Sequence, residues 1–183
     1  MTNSTTKDVI IKNIPLVDQF EASDKFWKRR ACGVAVIKMI LTFQNKDLRH
    51  ISLDELIREG LECGAYTEDV GWKHQGLVCL AGKYGASLTF QKEFFKEERD
   101  KVKGLKLIDN ELLSGRPVAI SVYPGFNGQK DSHLILAVGT NLKNKSATGY
   151  YIQDAYWGIR GNNYFVTKRE FLKGWRGGML WFE

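Results

Sequence analysis

The sequence predicts an α+β fold, helical in its first half and stranded in its second. Three features predict it. Ser52-Leu53-Asp54-Glu55 is a capping box, and Leu53, Leu56, Ile57 and Leu61 follow at helical spacing. After Gly85 the pattern turns to short apolar segments, "RPVAISVY", "HLILAVGT", "GYYIQDAYW" and "NNYFV", parted by loops rich in Gly, Asn, Lys and Ser. A second capping box, Thr167-Lys168-Arg169-Glu170, starts a short helix with Phe171 and Leu172, and "GGMLWFE" closes the chain as a strand.

The elements follow in order. Residues 1–13 are expected as a flexible N-terminal arm, in which "DVIIKNIPLV" is extended and ends near Pro15. Residues 14–183 are expected as a single domain, since 183 residues can bury one good core but hardly two. A buried helix begins at Cys32 or Gly33 and runs to about Phe43, on the strength of its length and near-continuous apolarity. "HQGLVCLAGKYGA" sets Leu77, Val78, Leu80 and Ala81 on one helical face and ends near Gly85, with Cys79 expected as a small core residue. "SLTF" is a short strand, and the mixed charges of "KEFFKEERDKVKGLK" mark a solvated helix face.

Composition excludes several classes. The net charge of +6 comes from 27 basic and 21 acidic residues that are interleaved, with no basic stripe to argue for a nucleic-acid partner. No apolar run is long enough to span a bilayer, and the polar N-terminus lacks the layout of a secretory signal, so a cytoplasmic location is expected. Three cysteines, an odd number, argue against a disulfide framework, and their spacing lacks the paired signature of a zinc site. Neither a metal nor any other cofactor is expected.

Chemistry centres on "KFWKRRACGVAVIKMI", where Cys32 stands between Lys28, Arg29 and Arg30 and a helix start. Cations and a helix N-terminus both favour a thiolate, the form that attacks carbonyls. Gly33 is expected to leave the space beside the sulfur open to a substrate carbonyl. Alone, these residues allow two readings: a nucleophile, or a structural thiol on a core helix.

A nucleophilic cysteine needs a base, and the base needs an orienting acceptor. His50, in "NKDLRHIS", reads as a surface residue, and His74, in "GWKHQG", as a structural or capping residue near a helix start. His133 differs, because in "GQKDSHLILAVG" a polar loop enters an apolar strand at that residue and can aim it into a cleft. Asp154 ends the next apolar segment, and alternation would place it on one face with Tyr150 and Ile152. Asp131 is the weaker candidate for the acceptor, being in the loop. Trp157 could shield a His–Asp contact from water, or simply fill core.

Taken together, "RACGVAVIKMIL", "GWKHQGLVCLAGKYG", "GRPVAISVYPG", "DSHLILAVG" and "YYIQDAYWG" resemble the papain-like cysteine peptidases, most of all the bacteriocin-processing, double-glycine-leader peptidase group and its stand-alone relatives. The resemblance runs from about Ile14 to the C-terminus. It implies a central nucleophile helix packed on a C-terminal antiparallel sheet, a Cys32–His133–Asp154 triad, and a peptide or protein substrate. The family pattern also places a glutamine six positions before the cysteine to complete the oxyanion hole, and here that residue is Phe26. Gln19, thirteen positions upstream, could fold back to serve, or Trp27, Lys28 or Arg29 could supply the donor. Gly71, Trp72 and "YPGFNGQKDS" are candidates for lining the cleft.

Three functions are compatible with this pattern. The first is a peptidase working through a thioester acyl-enzyme. The second is an amidase or acyltransferase using the same triad. The third is a binding module that keeps the fold with little catalysis, for which Phe26 in place of glutamine and the aromatics of "GYYIQDAYWGIRGNNYF" are the motives. Neither double-glycine specificity nor oligomeric state is legible.

Overall fold

Apart from half-buried Phe43, the large apolar side chains of the helix that begins at Cys32 are buried, and the rest of the fold is arranged around it. In this computed structural model, which describes residues 5–126 and 131–183, strand β1 (Thr6–Ile10) leads to a short helix α1 (Lys25–Lys28) and then to α2 (Cys32–Gln44). Next come α3 (Leu53–Glu62), a two-stranded ribbon of β2 (Tyr66–Thr67) and β3 (Gly71–Trp72), and α4 (His74–Lys83). The second half holds β4 (Leu88–Phe90), α5 (Glu98–Leu113), β5 (Val118–Val122), β6 (His133–Lys143), β7 (Ser146–Gln153), β8 (Tyr164–Thr167), α6 (Lys168–Gly174) and β9 (Trp175–Phe182).

Local chemistry explains where the helices start. The Ser52 side chain accepts the Glu55 N–H at the head of α3, and Thr167 with Glu170 forms a complete capping box at the head of α6. No side chain caps α2 or α4, so their first N–H groups remain available at the N-terminal ends. A helix apolar all round belongs inside, and α2 supplies Val34, Ile37, Met39, Ile40 and Leu41 to the core. At roughly 1.5–3 kcal/mol for each large side chain removed from water, this helix is a principal source of stability.

Among the described residues the main sheet has seven strands, in the order β4-β9-β5-β6-β7-β8, with β1 beside β6. All its pairings are antiparallel. β6 is the hub: β5 pairs with its residues 133–137, β1 with residues 139–143 on that same edge, and β7 runs along the other.

The sheet is a middle layer with a core on each face. On one face α2, α3 and α4 pack against Leu134, Leu136 and Val138 of β6. On the other, α5 and α6 pack against Ile135, Ala137, Tyr150 and Ile152. Helix α5 therefore has the expected charged outer surface and also buries Leu105, Ile108 and Leu112.

Two expectations need correction. The expected flexible arm contains β1, whose ladder to β6 runs from Thr6 opposite Lys143 to Ile10 opposite Gly139; residues 1–4 of that arm lie outside the described residues. Cys63 and Cys79 are joined in a disulfide with 6.0 Å between their Cα atoms, leaving Cys32 as the free thiol. Cys79 is thus an exposed tie between α4 and the end of α3 rather than a core residue. Among the described residues, no helix is long and apolar enough to cross a membrane.

Candidate active site

Cys32 is the first residue of α2 and is partly exposed in a cleft of about 1210 Å³ between the helical layer and the sheet. The uncapped N-terminus of α2 places its positive end at the sulfur. His133, the first residue of β6, enters the cleft from the opposite wall. Its Nε2 lies 2.6 Å from Asp154 Oδ1. The Cys32 thiol lies close enough to act on the same imidazole by hydrogen bonding and charge. Burial by itself would lower the His133 pKa, but the hydrogen bonds and charges of Asp154 and Cys32 outweigh it and raise the value to about 10.

Asp154 sits one residue beyond β7 and is only 2% exposed. A buried carboxylate needs partners, and Oδ1 also accepts the Tyr156 N–H at 2.9 Å. The Tyr164 phenol is held protonated first by its own burial and then by the Asp154 charge. Tyr150 and Ile152 pack on the α5 side, and Asp154, one residue past the strand end, turns to His133 in the cleft. Asp131 lines the cleft, but the His133 ring bonds to Asp154.

The neighbours differ from expectation in three places. Gly33 does not leave room for a substrate carbonyl, because a Cβ there would collide with the Trp72 ring. That indole is in turn fixed by its Nε1–H donating to the Arg30 carbonyl. Trp157 is half exposed at the cleft rim, and it is Tyr156 that lies edge-on to the imidazole, with 6.3 Å between ring centroids. Trp27 and Lys28 do not line the cleft. Trp27 belongs to an aromatic cluster with Phe26, Tyr66 and Trp72.

Gln19 is the upstream candidate that folds back. It is 1% exposed, its backbone N–H donates to the carbonyl of Ala155, next to Asp154, and its Nε2 donates 2.9 Å to the Lys28 carbonyl. A side-chain amide has two N–H groups, so the second remains for another acceptor. Phe26 is exposed and stacks under the Arg30 guanidinium at 4.1 Å.

His50 is exposed at the surface, as its polar surroundings suggested. Gly71 and Trp72 line the cleft, as do Pro124, Gly125, Asp131 and Ser132 of the candidate loop, while residues 127–130 lie outside the described residues. Sequence reasoning missed Arg176 and Ser121, which line the same cleft from β9 and β5. The available signal was "WRGG", a charged residue followed by two glycines in an apolar strand, the usual mark of a bulge.

A helix-borne thiol facing a histidine at the head of a sheet strand, with helices packed on an antiparallel sheet, has the architecture of a papain-like cysteine peptidase. The chain belongs to the Peptidase_C39 like family, whose model matches residues 11–177, and it is accordingly a cysteine peptidase. A search of the curated proteins gave no match. Among solved structures, the fold is similar to a protein named as a C39-like peptidase from Bacillus anthracis, with 16% identity, 97% of this chain and 98% of that one covered, and a TM-score of 0.67. It is also similar to the peptidase domain of Streptococcus ComA, with 20% identity, 92% and 96% covered, and a TM-score of 0.61. A third is the double glycine motif protease of an AMS/PCAT transporter in complex with its leader peptide, with 19% identity, 92% and 89% covered, and a TM-score of 0.52.

Proposed function

We propose that the protein hydrolyses a peptide bond through a thioester acyl-enzyme on Cys32. The observation that carries this reading is the position of the His133 ring, held by Asp154 at 2.6 Å in the same cleft as the thiol at the head of α2. The thiol proton passes to His133, whose raised pKa favours the imidazolium so formed, and Asp154 holds the ring in the orientation that this requires. The thiolate attacks the peptide carbonyl. The developing oxyanion is met by the Cys32 N–H and by the second N–H of the Gln19 amide. His133 then gives its proton to the departing amine, and the thioester forms. Water, deprotonated by His133, attacks the thioester; the acid leaves, and the proton returns to the thiol–imidazole pair.

The oxyanion assignment matters because Phe26 occupies the position where the glutamine was expected. Gln19, on a longer loop tied at Ala155 and Lys28, is the upstream amide that supports this assignment. A peptide as substrate fits an open cleft walled by Trp72, Tyr156 and Trp157, and accords with the leader peptide bound by the AMS/PCAT protease.

The test is cleavage of a diverse peptide pool, with products read by mass spectrometry. Wild-type protein is expected to cut and the Cys32→Ala variant to leave the pool intact. A trapped mass of enzyme plus acyl fragment identifies the thioester, and carboxylate rather than amide products identify water as acceptor. Equal cutting by both proteins would overturn the reading.

A further inference from the structure

Across the cleft from the triad three cationic or donor features converge on one place. Arg176 stands on the sheet wall and donates from Nη1 to Ser121 Oγ at 3.2 Å. Its guanidinium lies 5.7 Å from the centroids of both the Phe94 and Tyr123 rings. Among the described residues no carboxylate pairs with it. Next to it is His74, 9% exposed, whose buried Nδ1 has no hydrogen-bond partner. His74 stacks on Phe94 with 5.2 Å between centroids, so the imidazole and the guanidinium share one aromatic neighbour. His74 is also the first residue of α4, a ten-residue helix with no side-chain cap, whose N-terminal residues Lys73, His74 and Gln75 open onto the cleft.

The backbone is shaped to present this arginine. Between β5 and β9 the register moves from Val122 opposite Trp175 to Ile120 opposite Met179, so β9 carries two extra residues. Gly177 takes a φ of +91° within that bulge, against the Phe95 backbone. Bulges re-aim side chains, and here the arginine is turned to the cleft while Trp175 is buried on the far face. A half-buried guanidinium without a carboxylate, an unsatisfied buried imidazole nitrogen and a bare helix N-terminus all lack the same thing, an anionic acceptor.

We propose that Arg176, Ser121, His74 and the N-terminus of α4 form an anion subsite of the cleft that binds a carboxylate of the substrate peptide. The carboxylate comes from an Asp or Glu side chain at a fixed distance from the scissile bond, or from the peptide's own C-terminus. This rests on the peptidase reading for the presence of a peptide. The imidazole of His74 is neutral, kept so by burial and then by Arg176, with a pKa lowered to about 4, and it serves as a neutral donor beside the guanidinium.

The experiment separates the subsite from the catalysis. Cys32→Ala protein is incubated with two randomised peptide pools, one with free C-terminal carboxylates and one amidated, and retained peptides are sequenced by mass spectrometry. Enrichment of Asp or Glu at one position in both pools identifies a side chain, and retention from the free-acid pool alone identifies the terminus. Adding Arg176→Gln is expected to reduce the enrichment about tenfold, as loss of a charged hydrogen bond predicts, and Arg176→Lys to leave part of it. Removing Arg176 strands no carboxylate, so the fold is expected to survive, and Ser121→Ala gives a second, milder loss. Arg99→Gln, on the exposed surface of α5, controls for general positive charge. No acidic enrichment, enrichment unchanged by Arg176→Gln, or equal loss with Arg99→Gln overturns the proposal. Retention of acidic peptides that wild-type protein never cuts would uphold the subsite and sink the peptidase reading; cutting without acidic preference would do the reverse.

Discussion

Asp154 Oδ1 holds His133 Nε2 at 2.6 Å and accepts the Tyr156 N–H with the same oxygen. The carboxylate is thereby fixed to its own loop before it meets the imidazole, and its buried charge helps keep the ring protonated up to about pH 10. Replacing Asp154 with Ala is expected to lower kcat by about a hundredfold or more. It should also bring the alkaline limb of the pH–rate profile down from about 10 towards the ordinary histidine range. A purely structural aspartate would reduce the amount of folded enzyme and leave that limb in place.

Gln19→Ala tests the oxyanion assignment. Loss of one donor is expected to cost about a hundred- to a thousand-fold in kcat with little change in KM. Alkylation of Cys32 by iodoacetamide passes through no tetrahedral oxyanion, so its rate should stay near that of wild type. A parallel fall in alkylation would show that the glutamine acts on the thiol or on folding instead.

Gly33→Ala sets a helix preference against a collision. Alanine favours the helix by about 0.5–1 kcal/mol, but its methyl group meets the Trp72 ring, and overpacking of this kind costs about 1–3 kcal/mol. The net expectation is a lower melting temperature by a few degrees, partly restored when Trp72 is also made smaller. Differential scanning calorimetry of the three variants decides it.

His74 gives acid sensitivity of a defined sign. Burial, and then Arg176, lower its folded pKa to about 4, so between pH 6.5 and 4 the unfolded chain binds a proton that the folded chain does not. Stability is therefore lost as pH falls through that window, by an upper limit of about 3 kcal/mol. His133, whose folded pKa is raised, contributes a constant amount below pH 6.5 and does not blur the effect. The difference between wild type and His74→Phe in urea unfolding should shrink as pH is lowered towards 4, because the variant lacks the penalty.

Thiol counting tests the disulfide. Under denaturing, non-reducing conditions one cysteine, Cys32, should alkylate, and three after reduction. The cross-link spans 16 positions between Cys63 and Cys79, and opening a loop of that size costs about 3 kcal/mol. Reduction should therefore lower the melting temperature of the folded protein.

Much of this architecture could be read from residue patterns. The capping boxes at Ser52 and Thr167 and the apolar run from Cys32 announced three helices, because those signals are local. His133 and Asp154 stood out because each interrupts an apolar strand pattern at its end. What the pattern could not supply was pairing across long separations. Cysteine count says nothing of a 6.0 Å approach between α3 and α4, and "TKDVI" is too polar to declare which strand it joins. The burial of Asp154 and the turn of Arg176 into the cleft depend on a strand end and a bulge, where simple alternation fails.

The position of β1 has a consequence for how the chain behaves in company. Along residues 139–143 the strand that begins with His133 owes its satisfied backbone to a segment far earlier in the sequence, from Thr6 opposite Lys143 to Ile10 opposite Gly139. Should that segment peel away, five residues of β6 would present a bare row of donors and acceptors, the template on which a foreign strand can dock. Residues 6–10 thus close an edge of the very strand that begins with His133.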